Sequence, residues 1–153
     1  MPQLELKIPP PLIGVVSAGL MYGVATLLPV LELPPSLRVG TALALAVVGA
    51  SLDVAGLMVF RRAKTTVNPM APQKSSSVVS TGIYRFTRNP MYLGLVFLLL
   101  AWAVYLSSAW ALLVVPVFMV YITRFQIKPE ERILAARFGS AHASYCARVR
   151  RWL

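Results

Sequence analysis

Residues 91–125 read MYLGLVFLLLAWAVYLSSAWALLVVPVFMVYITRF, a run whose single charge is Arg124. At about 1.5 Å of rise per residue it is too long for one crossing of a ~30 Å hydrocarbon layer and long enough for two. Ser107-Ser108 interrupts it near the middle, and a link that short admits only a tight helical hairpin. The run is therefore read as two transmembrane helices, about 91–107 and 109–125, each near the lower length limit for spanning. A re-entrant course for one or both stays open on length alone.

Two further apolar stretches lie upstream. The first, about 11–31, carries no charge, and the second, about 39–60, carries only Asp53. Met1 to Pro9 hold Glu5 and Lys7 rather than a basic leader, and no small-residue cleavage site follows, so the first stretch reads as a retained helix. Hydrophobic residues make up 58% of the chain and charged residues 13%, against roughly 25% charged in a soluble domain. The fold class expected is all-α and integral to a membrane. It has about four transmembrane helices, a loop over 61–89, and a cytoplasmic amphipathic helix within the tail 126–153. All of it forms one domain, 1–153. Pro129 suits a first helical position, Glu130 and Glu131 suit the first turn, and Gly139 ends or bends the tail helix.

The net charge of +10 raises the question of nucleic acid, and the placement of the charges answers it. In a four-helix arrangement fourteen of the fifteen basic residues fall on one side, and only Arg38 lies opposite. That is a membrane-flanking pattern, and it excludes nucleic acid as the expected partner. It places both termini and the long loop in the cytoplasm of a bacterial-type inner or plasma membrane. Cys146 is alone, so no internal disulfide forms, and one His with one Cys makes no metal site.

The segment from Tyr84 to Tyr92 and the acids Glu130-Glu131 share the cytoplasmic face, because the fourth helix returns the chain to the side where the third began. Together they offer cations, carboxylates, aromatic rings and amides beside a lipid phase, which suits a polar cofactor serving a greasy substrate. Asp53 is an acid in a membrane stretch, for which a packed helix contact and a functional role weigh equally. It is left outside the candidate site. His142, lone in the tail, reads as a surface or interface histidine.

The run Val78-Val79-Ser80-Thr81-Gly82-Ile83-Tyr84-Arg85-Phe86-Thr87-Arg88-Asn89-Pro90-Met91-Tyr92-Leu93-Gly94 resembles the isoprenylcysteine carboxyl methyltransferase family. So does Glu130-Glu131 followed by Phe138-Gly139, Tyr145 and Val149. Related phospholipid methyltransferases share parts of both blocks. The resemblance implies a membrane-embedded methyltransferase using S-adenosylmethionine, with a lipophilic or lipid substrate entering from the bilayer. By the same resemblance the cofactor contacts are Ser76, Ser77, Val78, Val79, Tyr84, Asn89, Pro90, Met91, Tyr92 and Glu130, and the chemistry of the cofactor adds Arg88. Arg124, Gln126 and Glu131 face the acceptor.

Three positions depart from the family pattern. Asn89 stands where a histidine is usual, and His142 where a tyrosine is. Gln126 replaces a substrate-facing arginine, which argues against a carboxylate acceptor. On chemical grounds either Arg85 or Arg88 pairs a cofactor carboxylate, and Glu130 pairs its amine. Tyr84 or Tyr92 meets the sulfonium or the adenine. An amine or hydroxyl nucleophile needs a base, and His142 or Glu131 is available for that. An NADPH-dependent lipid or sterol reductase and a non-enzymatic four-helix transporter are the competing readings. The acceptor and the oligomeric state stay open.

Overall fold

The computed structural model describes residues 5–64, 68 and 70–153, so the leaderless reading of the first nine residues falls partly outside it. Among the described residues there is no strand, and the α-helices are α1 (Pro10–Leu27), α2 (Pro35–Arg62), α3 (Pro90–Tyr105), α4 (Val114–Ile122) and α5 (Lys128–Arg148). Proline opens α1, α2 and α3, where its missing N–H is an unpaired group in any case.

α1 stops four residues short of the apolar stretch from which it was inferred. Leu28 is extended, because the residue before a proline is pushed out of the helical region, and Pro29, Pro34 and Pro35 hold the connection open. Hydropathy marked the stretch correctly but not its backbone. The Leu31 N–H donates to the Ser107 carbonyl at 2.7 Å, which fastens this connection to the α3–α4 hairpin. Ser107 itself takes φ +53°, and the Ser108 hydroxyl accepts from the Ala111 N–H at 3.2 Å. A 3-10 turn, Ala111–Leu113, then leads into α4.

The largest departure from expectation is at the end of α4. The sequence suggested a span followed by a separate tail helix, but a π-helical segment, Thr123–Ile127, joins α4 to α5 without a break. Its wider turn carries the ladder up to Pro129, which has no N–H to contribute. Glu130 and Glu131 therefore do not sit at a free helix N-terminus, and their place is not explained by a helix dipole. Ala111 to Arg148 form one rod of 38 residues. Its apolar part ends near Phe125, so α5 continues beyond the spanning segment. At Gly139 the rod kinks with φ +51° and ψ −122°, a conformation open to glycine.

Among the described residues three rods, Pro10–Leu27, Pro35–Arg62 and Ala111–Arg148, are long and apolar enough to cross a bilayer. α3 is equally apolar but has 16 residues, about 24 Å of rise. The core lies between α1, α3 and α4, where Met21, Val96, Ala103, Val115, Phe118 and Ile122 are buried together. The Trp102 indole N–H donates across to the Ala18 carbonyl at 3.0 Å. Large side chains such as Val15, Leu43, Val47, Val117 and Val120 face outward, as a lipid environment allows.

α2 approaches α3 by a different means. A Cβ built on Gly49 would lie 2.8 Å from the Gly94 carbonyl oxygen, and one on Gly94 would lie 2.8 Å from the Gly49 carbonyl oxygen. Only small residues permit that separation. The close crossing runs on to Gly56 beside Met91 and brings the C-terminal half of α2 over the start of α3.

Candidate active site

Where the end of α2, the start of α3 and the start of α5 meet, they enclose a cavity of about 410 Å³. That volume falls within the roughly 300–1,000 Å³ usual for small-molecule sites. Its lining combines apolar side chains, among them Pro10, Pro11, Val54, Leu57 and Leu95, with polar and ionisable ones. The two sequence blocks, separated by almost forty residues, converge on it.

Of the candidates, Ser77, Val78, Val79, Tyr84, Arg88, Asn89, Met91, Tyr92, Glu130 and Glu131 line this cavity. Ser76 does not; it is exposed, with its hydroxyl 3.4 Å from the Lys64 carbonyl. Pro90 is buried as the first residue of α3, behind the wall rather than in it. Arg124 and Gln126, expected to face the acceptor, lie elsewhere. Arg124 borders a separate groove shared with Glu5, Lys128 and Arg132. Gln126 is buried and donates its amide to the Ile8 carbonyl at 2.6 Å, pinning the N-terminal segment, which Leu6 also fastens to the Phe125 carbonyl. Gln126 lies within the π segment that joins α4 to α5.

Among the polar groups, the Tyr92 hydroxyl donates to Glu130 Oε2 at 3.2 Å. Burial pushes the Glu130 carboxyl up to about 7, the Tyr92 bond pulls it down, and the neighbouring Glu131 charge adds to the rise. Burial, then the Glu130 charge, holds the Tyr84 phenol well above its usual range, so it stays a neutral donor. Glu131 is bound on both sides: Arg88 reaches it at 3.2 Å and Arg151 grips it through two bonds of 3.1 and 2.7 Å. Arg88 also donates to Cys146 Sγ at 2.5 Å, while its Nε is buried with no partner.

The C-terminal end stitches the site together. The Asn89 amide donates to the Arg151 carbonyl at 2.8 Å, the Arg88 N–H to the Arg150 carbonyl at 3.0 Å, and the Thr87 hydroxyl to the Arg151 carbonyl at 3.3 Å. The donor half of Asn89 is thus already engaged. His142 is buried and borders the cavity, contrary to the surface reading of a lone tail histidine, and burial holds its imidazole below the usual range. Its neighbour is Cys146, with Sγ 3.6 Å from Nε2.

Tyr145 was only part of a motif in the sequence, and the structure supplies its work: its hydroxyl donates to the Tyr84 carbonyl at 2.8 Å, in a buried position. Tyr145→Phe strands that carbonyl and should destabilise the protein by about 1–2 kcal/mol. In a thermal melt of the detergent-purified protein this appears as a midpoint lower by a few degrees. An unchanged melt would mean that Tyr84 is held by the rest of its surroundings. Asp53 was weighed in the sequence and left outside the candidate site. It lines the cavity from α2, and its only sequence signal was an acid inside an apolar stretch.

A profile of the phospholipid methyltransferase family matches residues 37–141, more than two thirds of the chain. The chain belongs to that family, which includes the isoprenylcysteine carboxyl methyltransferase-like membrane methyltransferases, and it is an integral membrane protein. An uncharacterised protein of Haemophilus influenzae is 44% identical over 63 residues, which cover 41% of this chain and the whole of that protein. No solved structure matches.

Proposed function

We propose that this protein transfers a methyl group from S-adenosylmethionine to a lipophilic acceptor that reaches the cavity from the bilayer. The observation that carries the reading is a pair of opposite groups in one cavity: the Glu130 carboxyl, which the Tyr92 hydroxyl meets at 3.2 Å, and Arg88, whose buried Nε lacks an acceptor. A zwitterionic amino-acid head needs both. Glu130 takes the ammonium, Arg88 the carboxylate, and Tyr84 and Tyr92 offer aromatic faces to a sulfonium or an adenine. Ser77 to Val79, Asn89 and Met91 supply the remaining wall. When bound, S-adenosylmethionine supplies an electrophilic methyl group on its sulfonium.

The residues of the chain act chiefly by positioning. Glu131, bridged between Arg88 and Arg151, fixes the Arg88 guanidinium and serves the site in that way. The end of the bundle that bears the loop and α5 carries the basic residues and is assigned to the cytoplasm by the positive-inside rule. The chain acts as one membrane domain, with α5 on the cytoplasmic side.

Calorimetry of the detergent-purified protein tests this reading. Saturable binding of S-adenosylhomocysteine, with no binding of NADPH, is the expected result. NADPH binding without S-adenosylhomocysteine binding would replace this reading with that of a reductase.

A further inference from the structure

A second recess, a groove of about 400 Å³, lies on the flank of the long rod where α4 passes into α5. Arg124, Lys128 and Arg132 line it from the rod, Glu5 from the N-terminal segment and Arg151 from the C-terminal residues. Contacts already formed fix its banks. The Leu6 N–H donates to the Phe125 carbonyl at 3.0 Å and the Gln126 amide to the Ile8 carbonyl at 2.6 Å, which holds the N-terminal segment against the rod. Glu5 then meets Arg132, and Arg151 is clasped to Glu131.

Charge in this groove does not balance. The four cations face two carboxylates, Glu5 and Glu131, and His142 is the remaining titratable group. Both carboxylates are engaged, Glu5 by Arg132 and Glu131 by Arg151 and, from the cavity side, by Arg88. The side chains of Arg124 and Lys128 are exposed and, among the described residues, meet no acceptor. Two unpaired cations in a preformed recess suit an anion with several acceptor oxygens.

The depth of the groove identifies the anion. Arg124 and Lys128 flank Phe125, where the apolar part of the rod ends, at the level of the lipid phosphates. Val117 and Val120 stand exposed on α4, about two turns and one turn before Arg124. An acyl chain along that stretch brings its phosphate to the two cations, whereas a soluble anion leaves the apolar approach unused. A zwitterionic headgroup adds an ammonium for which the groove holds no free carboxylate. A headgroup with net negative charge fits better.

We propose that this groove binds the phosphate of an anionic phospholipid in the leaflet on the α5 side, with Arg124 and Lys128 as its contacts. Arg132 and Arg151, held by Glu5 and Glu131, shape the groove and add to the attraction. The groove is a site of its own, because it shares only Glu131 and His142 with the wall of the cavity. Neither Arg124 nor Lys128 lines that cavity, so the inference goes beyond the methyl-transfer reading and does not depend on it. It differs from a general attraction of basic residues to a membrane surface in requiring these two cations and not others.

Lipid titration of the detergent-purified full-length protein, read by native mass spectrometry, tests this. The native protein should bind dioleoylphosphatidylglycerol at least tenfold more tightly than dioleoylphosphatidylcholine. Arg124→Gln combined with Lys128→Gln should reduce that preference to less than twofold, and Lys128→Gln alone should lower it at least threefold. Arg61→Gln combined with Arg62→Gln removes two exposed cations at the end of α2, outside the groove, and should keep it. Inorganic phosphate at millimolar concentration should not displace the lipid. No preference in the native protein, or an equal loss in the two double variants, overturns the inference by reducing the attraction to overall charge. A preference untouched by Lys128→Gln overturns the assignment of that contact, and displacement by inorganic phosphate overturns the lipid in favour of a soluble anion. S-adenosylhomocysteine binding bears on the methyl-transfer reading alone, so the two can fail separately.

Discussion

Glu130→Gln should bind S-adenosylhomocysteine at least a hundredfold more weakly than the native protein, while melting at a similar temperature. The carboxylate is the one group proposed to receive the ligand ammonium, and its remaining contact is the Tyr92 hydroxyl at 3.2 Å. Removing one partner of a desolvated charge pair costs about 2–5 kcal/mol, which spans the hundredfold expected. Glutamine keeps the shape and still accepts from Tyr92, so the fold is spared.

The same residue sets a pH signature. With its carboxyl raised to about 7 by burial, Glu130 is largely neutral at pH 6 and ionised at pH 8. The ammonium needs the ionised form, so affinity in the native protein should rise from pH 6 to pH 8. Binding at pH 7 should also release on the order of half a proton, visible as a dependence of the calorimetric heat on the buffer. Glu130→Gln should show neither effect at this site. A flat native profile, or a variant that binds as tightly as the native protein, would remove Glu130 from the donor site.

The second large effect is expected at the α2–α3 crossing. Gly94→Ala places a methyl group against both the Asp53 carboxylate and, at 2.8 Å, the Gly49 carbonyl oxygen. The Gly49 carbonyl is backbone and does not yield cheaply. Overpacking of this kind costs about 1–3 kcal/mol. The thermal midpoint should fall by several degrees. Gly19→Ala is the control, because nothing lies within 4 Å of a Cβ at that position and Gly19 is helical. That variant should melt at or slightly above the native temperature, alanine being the better helix former. Equal melts for the two alanine variants would show that α2 and α3 have room to move apart.

Much of this protein was determined by sequence alone. Four apolar stretches with few charges can satisfy their backbone in lipid only as helices, which makes the class all-α and membrane-bound. Prolines at positions 10, 35 and 90 set where helices begin, and Gly139 marks where the last one bends. The order Tyr84 to Tyr92, then Glu130, followed by a return of the chain, was enough to place those residues at one end of the bundle.

Tertiary structure alone decided which side chains face the cavity. The Asp53 carboxylate packs where a side chain on Gly94 would stand, so its place depended on a residue more than forty positions away having no side chain. Gln126 meets the Ile8 carbonyl of the N-terminal segment, a contact between residues more than a hundred positions apart that no spacing rule contains. Arg151 reached Glu131 through the fold of the final residues rather than through any local pattern. In each case the deciding quantity was an approach between distant segments. Local propensity sets where a helix runs, and packing sets what its side chains meet.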